Sequence, residues 1–233
     1  MASITRRLKR LKTRERILRQ NLLGSSNTWG TPPTDEDYDR ALAYRVLMHA
    51  EIERHFEDTV LSALLSSHEI FKSKNGAITY PAGSTLSHYR SKCFIDGQVT
   101  AEVTFADQHV LANYAASKLD EAVKWVEATV VSNNHGIKPQ DIRKLMGWIG
   151  VDPTELNANL LDALKLLGTE RGDAAHLSRR EIWRRYKRKA SPAGASKIRR
   201  LPSPSDEVAA VDAVLKLMPE LDRLIQTRLR STI

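Results

Sequence analysis

Apolar residues recur along this chain with the 3.6-residue period of helices rather than the two-residue period of strands. The clearest case is a helix expected over about Asp35–Ser66, where Leu42, Val46, Phe56, Val60 and Leu64 fall on one stripe. Thr34, with Asp37 three residues on, reads as a capping box that opens it. An earlier helix is expected over about Ile4–Leu23, ended by Gly24, and Gly24–Asp37 reads as a linker rich in Gly, Ser and Pro. The long stripe also carries His49 and, at its centre, Glu53, while Glu51 points to the opposite, solvated side. An acid in the middle of a core-facing stripe is costly unless it is paired or hydrogen-bonded. Glu53 is therefore expected to find a partner on another helix.

From Ser67 to about Ala101 the period lapses. Lys72–Ser84 reads as turns and Cys93–Val103 as a short hairpin, so an irregular insertion or loop is expected over about 71–104. Helical spacing returns from Phe105, through Leu111, Tyr114, Ala115, Leu119, Val123, Val126 and Val130. Asn133–Gly136 stops it, with Gly136 in the C′ place. Pro139 starts a short helix through about Trp148. Asp152, Pro153 and Glu155 form a helix start that launches the next apolar run, closed by Gly168. A basic helical stretch follows from about Ser178, then a linker over Ser191–Ser205 and a last helix over about Asp206–Leu229. There is no internal repeat and no convincing strand pair, so the fold class is all-α. The division expected is a basic N-terminal helix and linker, 1–33, before a helical domain, 34–230.

Composition narrows the class. With 41% hydrophobic residues a sizeable core can form, and 6% aromatics disfavour a β-sandwich. One cysteine, Cys93, excludes a disulfide framework and a cysteine zinc site. No apolar run approaches the ~20 residues of a membrane span, and no apolar signal region opens the chain. A cytoplasmic protein is expected. Net charge is +8, but it is uneven. Residues 1–23 hold eight Lys or Arg and one acid, and residues 178–200 hold ten and one, which leaves the remainder acidic. Such basic blocks attract polyanions, nucleic acid first; a solvated helix face is the plainer alternative. In the second block Arg179, Arg180, Arg184, Arg185, Lys187 and Arg188 are the candidate phosphate contacts, with Trp183 and Tyr186 among them.

Just before that block stands Glu170-Arg171-Gly172-Asp173-Ala174-Ala175-His176. Arg171 and His176 stand five positions apart, about 140° round an ideal helix, so they share no face. Gly172 allows a bend, and Asp173 can cap a helix that follows. The two side chains then converge either at such a bend or across a two-fold axis. This stretch resembles the R-x4–6-H motif of HEPN domains. The longer Asn133–His176 resembles HEPN domains of the RiboL-PSP type: a His-Gly-Ile turn, a short helix, an apolar Ile-Gly turn, a helix, then the motif. Leu47–Val60 resembles the acid-bearing helix of the same family. The likeness covers roughly Asp35–Leu229, and Phe71–Thr104 and the basic segments match little.

That resemblance implies an all-α HEPN-like helical bundle, a homodimer, and metal-independent endoribonuclease activity without a cofactor. It implies a toxin or phage-defence setting, with an antitoxin or other regulatory protein as partner. Arg171 and His176 match the fixed motif positions, Asp173 lies in the variable part beside the arginine, and Glu53 matches the acid of the earlier helix. The subgroup paired with nucleotidyltransferase antitoxins has a tyrosine two residues after the histidine; here that place is Ser178. The chemistry fits these residue types. Histidine gives or takes protons near neutral pH, and arginine matches phosphate oxygens in a charged fork. The alternative is a non-catalytic HEPN-like module that binds a protein or RNA partner. A basic helical DNA-binding protein is a third reading, for which no recognition unit stands out. Each residue also has a structural reading: Arg171 with Glu53 as a buried ion pair, His176 and His49 as core histidines, Asp173 as a cap. The seven histidines show no metal-binding spacing, so no metal is expected. No phosphate-cradling glycine motif or nucleophile elbow occurs.

Overall fold

The computed structural model describes residues 3–24, 34–74, 76–95, 108–133, 136–176 and 203–232. Within these, 3–5, 94–95, 108–115, 131–133 and 170–176 are described by backbone alone. Seven α-helices lie among the described residues: α1 Ser3–Leu18, α2 Asp35–Ser73, α3 Tyr80–Ile95, α4 Gln108–Asn133, α5 Pro139–Trp148, α6 Ala158–His176 and α7 Pro204–Arg230. No strand occurs among them, only an isolated bridge between Thr79 and Thr232. The all-α expectation holds, and the helices form one bundle around α2.

α2 starts where its sequence says. Thr34 N–H donates to the Asp37 carboxylate at 2.8 Å, and Thr34 Oγ1 accepts from Asp37 N–H at 3.2 Å. The helix runs to Ser73, past the expected end, because α1, α3, α4, α5, α6 and α7 all pack along it. So central a helix buries a wide face rather than a stripe. Tyr44, Met48, Ile52, Phe56 and Val60 are fully buried, each worth roughly 1.5–3 kcal/mol of apolar burial. The face is rotated from the expected one. Leu42 and Val46 are only partly buried, while Arg45 and His55 lie inside.

α1 belongs to this core through Leu8, Leu11 and Leu18. Its bundle-facing charges are answered: Arg14 donates to Glu51 of α2 at 2.7 Å, and Arg19, in a π-helical turn over Arg19–Leu23, donates to Glu15 and to Asp212 of α7 at 2.5 Å each. Tyr44 Oη donates to Glu15 at 2.8 Å. Glu51 is thus covered by α1, not turned to open solvent as expected.

The irregular stretch expected over 71–104 is corrected for its described part. Phe71 is buried at the end of α2, and Tyr80–Ile95 is a helix. The expected turns over Lys72–Ser84 reduce to the short link around Gly76, whose φ is +84°. α3 escapes the periodicity test because the side it buries is small or polar: Pro81, Ala82 and Thr85, with Ser84 half-buried beside them. Those groups have partners. Ser84 Oγ donates to the Gly147 carbonyl at 2.7 Å and Thr85 Oγ1 to the Trp148 carbonyl at 2.9 Å, satisfying the orphan end of α5. Gly150 (φ +74°) completes the joint, since a Cβ there would stand 3.0 Å from the Tyr80 carbonyl oxygen. The expected hairpin over Cys93–Val103 lies outside the described residues beyond Ile95; Cys93 itself is helical.

α5 begins at Pro139 as expected. Gly136, placed by sequence at C′, follows the end of α4 without a left-handed φ, and a Cβ there would lie 3.0 Å from an Asp141 carboxylate oxygen. The Asp152–Glu155 capping box forms, but it launches a 3-10 turn over Pro153–Glu155. α6 has its own start, Asn157, whose Oδ1 accepts from Asn159 N–H at 2.9 Å. No described helix is long and apolar enough to cross a membrane.

Candidate active site

α6 carries the motif and packs against α2, α5 and α7. Its buried stripe is Leu160, Leu164, Leu167 and Gly168. Gly168, expected to close the helix, is interior to it. It faces the α4–α5 junction, where a Cβ would stand 3.4 Å from Ile137 Cγ1 and 3.5 Å from Lys138 Cγ, ordinary van der Waals contact. A glycine inside a helix costs about 1 kcal/mol relative to alanine, and Gly168→Ala fits the space.

The helix then continues through Gly172 and Asp173 to His176. Two expectations change. No break occurs at Gly172, and Asp173 caps no following helix within the described residues. The backbone register therefore keeps Arg171 and His176 about 140° apart round one axis. Arg171 follows Leu164 and Leu167 by seven and four residues, the register of the buried stripe. His176 follows Lys165 and Thr169 by eleven and seven, the register of the exposed side.

Glu53 sits on α2 at one edge of the buried face, with its side chain 16% exposed, rather than at the centre. Glu51 occupies the other edge. One turn before Glu53, His49 is buried, and its Nδ1 lies 3.7 Å from Glu53 Oε2. An imidazole of its own helix thus lies beside the carboxylate. The structure brings α2 and α6, the two helices bearing Glu53 and the motif, into packing contact. The candidate phosphate contacts Arg179, Arg180, Arg184, Arg185, Lys187 and Arg188 lie outside the described residues, as does the basic block around them.

The pairing that sequence reasoning missed is elsewhere on α2. Arg45 Nε donates to Glu207 Oε2 of α7 at 2.6 Å, and the two side chains are 3% and 0% exposed. A signal existed: Arg45 falls between apolar positions of the same helix, one residue from the chosen stripe. Among the described residues no group of three His, Cys, Asp or Glu could hold a metal ion.

A family model described as RiboL-PSP-HEPN matches residues 9–226, from within α1 to within α7. No curated protein and no solved structure matches the chain. The family match spans most of the sequence, and the chain belongs to the RiboL-PSP-HEPN family.

Proposed function

We propose that this member of the RiboL-PSP-HEPN family is a metal-independent endoribonuclease acting as a homodimer, a toxin or phage-defence effector of the cytoplasm. The observation that carries the reading is the Arg171–His176 pair at family spacing on the last turns of α6, in a chain that matches the family nearly end to end.

RNA supplies its own nucleophile, the 2′-OH. A base takes its proton, the oxygen attacks the adjacent phosphorus, and an acid protonates the departing 5′-oxygen. The products are a 2′,3′-cyclic phosphate and a 5′-hydroxyl. His176 serves as base or acid near neutral pH, and Arg171 holds the phosphate oxygens as charge builds on phosphorus. The unbroken α6 argues for two copies. Within one protomer the pair splits between two sides of the helix, and a two-fold partner offers a second histidine and arginine to one cleft. Glu53, with His49 beside it, orients an arginine or histidine and offsets its charge; Asp173 adds a polar group next to Arg171. The basic block at 178–200 holds the backbone further along.

Purified wild type and His176→Ala, incubated in EDTA with a mixed tRNA and mRNA pool, test this. Wild type should cut and leave cyclic phosphate ends, and the variant should lose about 10²–10³ in rate or more. Equal background from both folded proteins would reject the ribonuclease and favour the binding-module alternative.

A further inference from the structure

A groove of ≈ 760 Å³ opens between the N-terminal end of α5, the 3-10 turn and the outer side of α6. Lys138, Arg143 and Lys165 line it, against one carboxylate, Asp162. None of the three cations makes an ion pair with a described residue. By contrast Lys144, on the same helix as Arg143, lies over the Trp148 ring at 5.6 Å. Lys138 is the N-cap of α5 and offers no capping side chain, so the positive helix end adds to the same field. Pro139, Pro153 and Leu161 supply an apolar floor.

The groove has a direction. Its α6 wall is Ala158, Asp162, Lys165 and Thr169, spaced four, three and four. At 100° per residue His176 returns to within about 20° of Lys165 and Thr169, and it lies ~10 Å further along the axis than Thr169. The register that faces the groove is thus the register of the candidate catalytic histidine.

We propose that this groove binds the sugar–phosphate backbone of single-stranded RNA and leads the strand to His176, a proposal that rests on the ribonuclease reading. Cations without carboxylate partners among the described residues keep their charge for phosphates, and the floor accepts bases. Gln140 and Thr169 at the rim give hydrogen-bonding groups for 2′-hydroxyls. The competing surface is the outer side of α1, where Arg6, Lys9, Arg10 and Arg16 are exposed. That surface is one convex helix, whereas the groove confines a strand between two walls.

The test uses the full chain carrying His176→Ala, so that RNA survives, and a fluorescent mixed-sequence 12-nucleotide RNA. Adding Lys138→Glu, Arg143→Glu and Lys165→Glu should weaken binding by roughly tenfold or more at about 0.1 M salt. The slope of log K against log salt should shrink by about 2, for three lost phosphate contacts at ~0.7 each. Arg6→Glu with Lys9→Glu should have the smaller effect. Melting temperature checks folding, and the three glutamine substitutions replace the glutamates if reversal perturbs it. Unchanged affinity and slope would overturn the proposal, as would a larger loss from the α1 pair. Equal affinity for DNA of the same sequence would overturn RNA as the occupant. The two readings fail separately. Wild type that does not cleave, with groove variants that still lose RNA, removes the nuclease and leaves the RNA groove. Wild type that cleaves, with groove variants that cleave and bind alike, does the reverse.

Discussion

Along the inner side of α1, cations meet carboxylates: Arg14 meets Glu51, and Arg19 meets Glu15 and Asp212. Deeper in the same bundle Arg45 meets Glu207 with almost no solvent access. Around the α5–α6 groove Lys138, Arg143 and Lys165 share a concave surface with Asp162 and pair with no described residue. Charge in the bundle interior serves structure, and charge at the groove is left for the ligand proposed above. A paired, desolvated cation has its field cancelled a few ångströms away. An unpaired one on a concave wall projects its field into the space a strand would occupy.

Removing one partner from the interior pair should have the largest effect. Glu207→Ala leaves Arg45 charged and buried, and should cost about 3–5 kcal/mol, read as a large fall in melting temperature. Replacing Arg45 and Glu207 together by methionine and leucine should recover most of it. If Glu207→Ala melts like wild type, the interior pair is not structural and the contrast with the groove dissolves.

A smaller effect comes from Asp222 of α7, which is buried between elements of this seam. Burial raises its carboxyl from 3.8 to about 6, against the pull of Arg7 and Lys12. A carboxyl whose folded value is raised stabilises the fold fully below its unfolded value and loses that contribution as pH rises through about 6. Asp222→Asn should therefore be more stable than wild type at pH 7, by on the order of 2 kcal/mol. The advantage should vanish at pH 3.5. Urea melts of both proteins across that range check it, and an advantage independent of pH would contradict the burial argument.

The smallest effect separates the two regions most finely. Arg14→Ala should cost about 0.2–1 kcal/mol, since its pair is half-exposed, and should leave RNA affinity nearly unchanged. Lys165→Ala should leave stability within about 0.5 kcal/mol and lower RNA affinity. Equal profiles for the two variants would erase the distinction drawn here.

Much of the helical frame is readable in local chemistry. Thr34 and Asp37 open α2, Pro139 opens α5, and the spacing of Leu119, Val123, Val126 and Val130 announces α4. Each involves residues within a turn or two of one another. α3 was not readable, because its contacts depend on Thr85 and Ser84 reaching carbonyls of α5, sixty-odd residues away. The candidate site divides the same way. Arg171, His176 and Glu53 stand out by spacing and by an acid among apolar neighbours. The missed pair, Arg45–Glu207, joins positions 162 residues apart, and neither residue says alone that the other will cover it.

The helical class, most helix starts, the motif spacing and the distribution of charge are legible in the residues alone. These follow from periodicity, capping and composition, which act locally or by count. That Gly168 lies inside α6, that α6 runs unbroken to His176, and which cations are answered are set by the packed fold. Those outcomes depend on which helices approach closely enough to exclude water. Gly168 is buried inside α6 rather than ending it because Ile137 and Lys138 arrive opposite it.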